Sequence, residues 1–248
     1  MPFSYQLYSS RNHGPLPDTL KMLADLGYDG VEGFGGLLTD VPALKAALDA
    51  AGLPMPTSHV GLDMIEGDPE GVVELAGTLG IGTVFCPFLP PDQRPDDAGG
   101  WRDFGARLEA AGRPLRDAGL EFGWHNHDFE FRPLPGGVRP IDAMFEGGPH
   151  LKWEADVAWI VRGGADPIAE ISRYADRIVA VHVKDIAPEG EAADEDGWAD
   201  VGHGTVDWTR IMTALRERTP AEQFVMEHDK PSDDRRFAER SISAARTL

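Results

Sequence analysis

Gly27, Gly52, Gly80 and Gly119 each end a stretch whose apolar residues recur at helical spacing, and each leads at once into a short apolar run. A glycine just past a helix takes the left-handed backbone that closes it, so this punctuation reads as helix stop, then strand. Carried along the chain, the pattern predicts strands at Phe3–Tyr8, Tyr28–Phe34, Pro54–Val60, Gly82–Leu89, Leu120–His127, Leu151–Val157, Arg177–Lys184 and Phe224–Glu227. Helices are expected at Pro15–Leu26, Val41–Ala51, Asp68–Leu79, Trp101–Ala118, Pro140–Phe145, Asp166–Tyr174, Trp208–Arg218 and Asp233–Arg246. Eight βα units within 248 residues match a single-domain (β/α)8 TIM barrel over residues 1–248. A doubly wound open sheet is the main rival, but no glycine-rich phosphate turn follows the first strand.

Charge narrows the partners. The 42 acidic residues against 23 basic give a net charge of −19, a surface that repels phosphate backbones and argues against nucleic acid. Acidic runs at Pro91–Asp97 and Asp194–Asp196 read as solvated loops. No apolar run approaches the roughly 18–20 residues of a membrane helix, and no secretory signal is visible at the start. Cys86 is alone, so no internal disulfide forms. Together these lead to the expectation of a cytoplasmic enzyme with no membrane partner, and leave room for a homodimer.

In a barrel the active site lies at the C-terminal ends of the strands, so the residues closing each run matter most. They are Glu32, His59, His125 with His127, Asp156, His182 with Lys184, and Glu227 with His228. Carboxylates and imidazoles converging from different strands form a mixed oxygen and nitrogen set suited to Mn²⁺, Co²⁺, Mg²⁺ or Zn²⁺. In Trp153–Val157, Glu154 and Asp156 share a face. Asp156 is nearer the tip, and Glu154, a layer deeper, requires a partner such as Lys184 or a histidine. His125 and His127 share a face, with Asn126 on the other. Gly202–His203–Gly204 reads as a lid or as a turn into a helix start.

Five phrases in order carry a family likeness: HNHDFEF (His125–Phe131), WEADVAWIVRGGADP (Trp153–Pro167), RIVAVHVKD (Arg177–Asp185), VGHGTVDW (Val201–Trp208) and VMEHD (Val225–Asp229). The chain resembles the sugar phosphate isomerase/epimerase group of xylose-isomerase-like barrels. The resemblance implies one divalent metal, manganese favoured, with Asp156, His182 and Glu227 as ligands. The position of the strand-five glutamate ligand falls on His125, leaving either a histidine replacement or three protein ligands. His127 and Glu130 fall where substrate contacts and acid/base groups are implied. Similar ketose 3-epimerases carry a histidine and an arginine where this chain has Trp159 and Pro188, which puts a free-ketose epimerase in doubt.

The expected activity is a metal-dependent sugar isomerase or epimerase working through an enediolate on a keto-sugar or polyol. His127, Glu130, Glu227 and Lys184 are the acid/base candidates. Glu32, His59 and Trp159 are the substrate contacts, Trp159 as a flat face for a sugar ring. The runner-up is a lyase or hydratase on a keto-sugar, keto-glycoside or keto-inositol, followed by a noncatalytic sugar-binding subunit. A barrel endonuclease is disfavoured by the charge.

Overall fold

A computed structural model describes residues 2–248. Eight parallel strands close a barrel: β1 (Phe3–Gln6), β2 (Gly30–Gly33), β3 (Thr57–His59), β4 (Thr83–Cys86), β5 (Glu121–His125), β6 (Lys152–Asp156), β7 (Ile178–Val183) and β10 (Gln223–Met226). The short strands β8 (Asp185–Ile186) and β9 (Trp198–Ala199) pair antiparallel above the end of β7. Each predicted barrel strand is present; seven are shorter than their apolar runs, and the last is shifted back one residue to Gln223–Met226. Pro54–Val60 contributes only Thr57–His59, because prolines at 54 and 56 cannot donate to a ladder.

The helices are α1 (Leu16–Leu26), α2 (Val41–Ala51), α3 (Leu62–Gly67), α4 (Pro69–Leu79), α5 (Ala98–Asp117), α6 (Pro140–Gly147), α7 (Val157–Arg162), α8 (Pro167–Arg173), α9 (Trp208–Arg218) and α10 (Asp234–Ala245). Gly27, Gly52 and Gly80 close α1, α2 and α4 with φ of 80°, 69° and 77°. The helix expected from Trp101 begins earlier, at Ala98, because the Asp97 carboxylate accepts from Gly100 N and caps it. Helices α5 and α6 pack at glycines: a Cβ on Gly105 would sit 2.0 Å from Met144 O, and one on Gly147 2.0 Å from Arg102 O. Any larger residue there would push the two helices apart.

The main core lies between strands and helices, where outward residues such as Val31, Val84, Phe122, Trp153, Val181 and Phe224 are buried. The barrel interior is different. Gln6, Glu32, His59, His125, Glu154, Asp156, His182, Lys184 and Glu227 all occupy it buried, in place of the usual branched aliphatic layers. Among the described residues no helix is long and apolar enough to cross a membrane.

Candidate active site

Strand register assembles the site. His125 pairs with Glu154 across β5 and β6, Asp156 with His182 across β6 and β7, and His182 with Val225 across β7 and β10, which brings Glu227 to the next level up. One ligand atom each from His125, Asp156, His182 and Glu227 lies within 4.8 Å of the others, at the C-terminal rim. Two ligands facing each other across an ion at ~2.1 Å bonds stand ~4.2 Å apart, so a small side-chain adjustment closes the set.

The orphaned atoms agree with a cation there. Asp156 has no free choice of pose: its Oδ1 accepts from Trp159 N at 2.9 Å and caps α7, which leaves Oδ2 buried with no hydrogen-bond partner. Asn126 fixes the backbone behind it, Oδ1 accepting from Asp156 N (2.9 Å) and Trp153 Nε1 (2.8 Å) while Nδ2 donates to Asp156 O (3.1 Å). Burial pushes the Asp156 carboxyl up to about 7 despite Lys184 and His182 nearby. Burial also pushes His125 down to about 3, leaving it a neutral imidazole with a lone pair to offer. Two oxygen and two nitrogen donors with no thiolate make a set that a divalent ion fits.

Beneath this layer a second ring of buried carboxylates orients the imidazoles. Glu154 Oε2 accepts from His59 Nε2 at 2.6 Å and His125 Nδ1 at 3.1 Å, and stands 3.2 Å from His182 Nε2. His182 Nε2 donates to Glu32 Oε1 (2.7 Å) and Nδ1 to Glu227 Oε2 (3.0 Å). Burial works against charge on His182, yet Glu154, Glu227 and Glu32 outweigh it and hold its pKa well above the ordinary value. Loss of the Nδ1 proton would keep Nε2–H on Glu32 and free Nδ1 for an ion, the usual outer-shell arrangement of a metal-binding histidine. His59, His125, Glu154 and His182 also form a compact group, but His125 and His182 spend on Glu154 and Glu32 the nitrogens they would need there.

A cavity of about 450 Å³ opens above, lined by Tyr8, Phe34, Gly35, His59, Gly61, Pro87, Phe88, His125, His127, Glu227 and Asp229. His127 stands in its wall against Phe88 (5.3 Å) and Trp159 (5.2 Å), with Nδ1 buried and unpartnered. Burial, with His125 and Lys184 close by, lowers its pKa well below the ordinary value, so it stands neutral with an unshared nitrogen lone pair.

Four expected site residues sit elsewhere. Glu32 does not reach the cavity; it lies fully buried beneath His182, accepting from Gln6 Nε2 at 2.7 Å as well. Glu130 is on the outer side of the barrel, accepting from Trp124 Nε1 (2.9 Å) and His127 N (2.9 Å), and so braces the loop that carries His127. Lys184 is buried, donates to Glu227 Oε2 (3.2 Å) and to Asp229, and lies over the Trp198 ring at 4.2 Å. Burial lowers its pKa, but Asp229, Glu227 and Asp156 outweigh burial and raise it. Trp159 backs His127 and packs on Trp198 (4.7 Å) rather than lining the cavity. Glu154 has its expected partner among the histidines. Gly202–Gly204 forms a turn: Gly202 N, Gly204 N, Val206 N and Ile186 N all donate to the Asp185 carboxylate.

Asp229, Asn126 and the rings of Tyr8, Phe34 and Phe88 escaped the sequence reading. Asp229 had a signal, two residues beyond Glu227 at the tip of the last strand, and Tyr8 and Phe34 close the first two predicted strand runs.

A family model described as xylose isomerase-like TIM barrel matches residues 20–247. An inosose dehydratase from Geobacillus kaustophilus is 25% identical over 202 residues, 71% of this chain and 63% of that protein, so the chain spans less than two thirds of the relative's length. A sugar phosphate isomerase/epimerase from Parabacteroides distasonis superposes with a TM-score of 0.82 at 21% identity, covering 98% of this chain and 94% of its own. The IOLI protein, solved with a zinc atom, superposes with a TM-score of 0.78 at 16% identity, covering 100% of this chain and 96% of its own. These structures share the fold.

Proposed function

We infer that this chain, which belongs to the xylose isomerase-like TIM barrel family, is a divalent-metal-dependent lyase or hydratase acting on a keto-sugar. The observation that carries this is His127, the cavity-wall imidazole with no hydrogen bond to a neighbouring side chain. An epimerase removes a proton on one face and returns it on the other, and so needs a free acid/base group on each side. The cavity's two carboxylates, Glu227 and Asp229, are both tied to Lys184. One free base suits β-elimination: His127 takes the proton beside the carbonyl, the C–H pair forms the double bond, and the β-carbon–oxygen pair leaves with its oxygen. The imidazolium then protonates that oxygen, and the reverse sequence adds water. The likeness to an inosose dehydratase supports the same class.

His125, Asp156, His182 and Glu227 would hold the cation, Mn²⁺ first among Mn²⁺, Co²⁺, Mg²⁺ and Zn²⁺. When bound it would supply Lewis-acid polarisation of the carbonyl and a neighbouring hydroxyl. Glu32 and Glu154 keep the imidazoles aimed, and Lys184 balances the charge of Glu227 and Asp229. A sugar isomerase is the second reading, because a proton returned to the adjacent carbon on the same face also needs only one base. Keto-sugars, inosoles and 3-keto-glycosides incubated with Mn²⁺ in D₂O and followed by NMR distinguish the two: elimination loses water or an alcohol, isomerisation only exchanges and rearranges. Protein that takes up neither Mn²⁺ nor Co²⁺ and exchanges no C–H proton would instead be a sugar-binding subunit.

A further inference from the structure

The mouth of the barrel is divided by the origin of its residues. The polar floor comes from His59 and His125 at the tips of β3 and β5, His127 after β5, and Glu227 and Asp229 after β10. The first, second and fourth strands supply an apolar rim: Tyr8 after β1, Phe34 after β2, Pro87 and Phe88 after β4. Tyr8 and Phe88 are 37% and 44% exposed, two of the four large hydrophobic side chains left open to solvent among the described residues. Scattered exposed rings need no explanation, but rings gathered on one side of a reactive cavity mark a contact surface.

These rings are held in place. Tyr8 and Phe34 meet edge to face at 5.4 Å, and the Arg11 guanidinium lies 3.6 Å over the Tyr8 ring. Phe34 lies so close over Gly36 that a Cβ there would be 2.6 Å from the ring. Phe88 contacts His127 at 5.3 Å and Phe129 at 6.4 Å, with Arg94 over Phe129 at 3.5 Å. A pocket of about 450 Å³ lies in the range that takes ligands of drug size, about 300–1,000 Å³, and so has room for more than one sugar ring. A second sugar ring would need hydrogen-bonding partners for its hydroxyls, and the rim side chains offer only the Tyr8 hydroxyl.

We propose that Tyr8, Phe34 and Phe88 form a subsite for an aromatic aglycone, so that the substrate is a keto-sugar carrying an aryl group through a glycosidic oxygen. This rests on the reading that the polar floor takes a keto-sugar. In that reaction the proton comes from the carbon between the carbonyl and the anomeric carbon. The C–H pair becomes the double bond, the anomeric carbon–oxygen pair leaves with the aryl oxygen, and its protonation yields a phenol with no net oxidation.

The test is binding of unreactive phenyl β-D-glucoside, methyl β-D-glucoside and a β-linked glucose disaccharide to the Mn²⁺-supplemented full chain by calorimetry. Phenyl glucoside should bind at least tenfold more tightly than methyl glucoside. Phe34→Ala and Phe88→Ala should each cut that advantage at least fivefold, with melting curves confirming that both variants fold. Equal affinities, no binding, a disaccharide that binds best, or an advantage that survives both substitutions would overturn the subsite. Turnover of 4-nitrophenyl and methyl 3-keto-glucosides separates the two readings. An aryl binding preference with no turnover sinks the chemistry and keeps the subsite, whereas equal turnover of both sinks the subsite and keeps the chemistry.

Discussion

Glu154→Gln tests the layer beneath the cation site. The substitution keeps the shape of the side chain but replaces a carboxylate that accepts from His59 and His125 and stands 3.2 Å from His182. An amide oxygen is a weaker acceptor, and its NH₂ turns a donor toward imidazole N–H groups, so His125 and His182 lose their fixed aim. Outer-shell losses of this kind lower metal affinity about 10–100-fold, or about 1.4–2.7 kcal/mol. The stability gained on adding saturating metal should shrink by that amount, which is ~3–10 °C less metal-induced rise in melting temperature for a domain of this size. The metal-free protein should lose some stability too, because the buried imidazoles lose the carboxylate that they hold charged. Burial and Glu154 both raise the pKa of Glu32, so removing one charge relieves that repulsion as it weakens the histidine contacts. Chelator-competition titration with Mn²⁺ and Co²⁺, alongside melting curves with and without metal, measures both quantities. An affinity within twofold of wild type would refute the claim that Glu154 aims the imidazoles.

Asp156→Asn should abolish metal uptake yet keep the cap on α7, whereas Asp156→Ala should lose both and unfold about 1 kcal/mol more easily; equilibrium dialysis with denaturant melts tells them apart. Glu227→Ala should lose metal and turnover together, and normal metal occupancy would contradict its place among the ligands. His127→Ala should retain metal but slow solvent deuterium incorporation about 10²–10⁴-fold, and unchanged exchange would remove it as the base. Glu195 gives a pH test away from the site. Burial would raise its carboxyl, but Ser232 and Arg236 lower it to about 2. A depressed carboxyl contributes fully above its unfolded pKa of about 4.3 and loses that contribution as pH falls toward the folded value. Glu195→Gln should therefore remove on the order of 2–3 kcal/mol of acid-sensitive stability between those limits, read from denaturant midpoints across pH.

The barrel was legible because its punctuation is local: a left-handed glycine stops a helix wherever it falls, and strand ends follow from parity. Strand-end position listed His125, Asp156, His182 and Glu227 among others, the family resemblance marked Asp156, His182 and Glu227 as ligands, and register then brings the four together. Helix α7 was hidden because its cap is Asp156, already counted as the last residue of a strand. Glu32 looked like a mouth residue because nothing local shows a partner 150 positions away, His182, drawing it to the floor. Glu130 misled for the same kind of reason: a single turn from Phe129 to Phe131 carries it back to Trp124, outside the barrel. The aromatic rim falls inside the predicted runs Phe3–Tyr8, Tyr28–Phe34 and Gly82–Leu89, but the strands end short of it and its rings stand on the loops beyond.

Filling the inside of the barrel with acids and imidazoles, where most such barrels keep aliphatic side chains, ties assembly to the acidity of the medium. With Glu32 raised, Asp156 pushed to about 7, and His59 and His182 raised, while His125 is pushed down to about 3 and His127 is lowered, folding redistributes the interior's hydrogen ions among these groups. Divalent loading must expel some of them. A weakly buffered solution of this protein should acidify as Mn²⁺ is added, so that a simple indicator dye would register occupancy before any sugar is present.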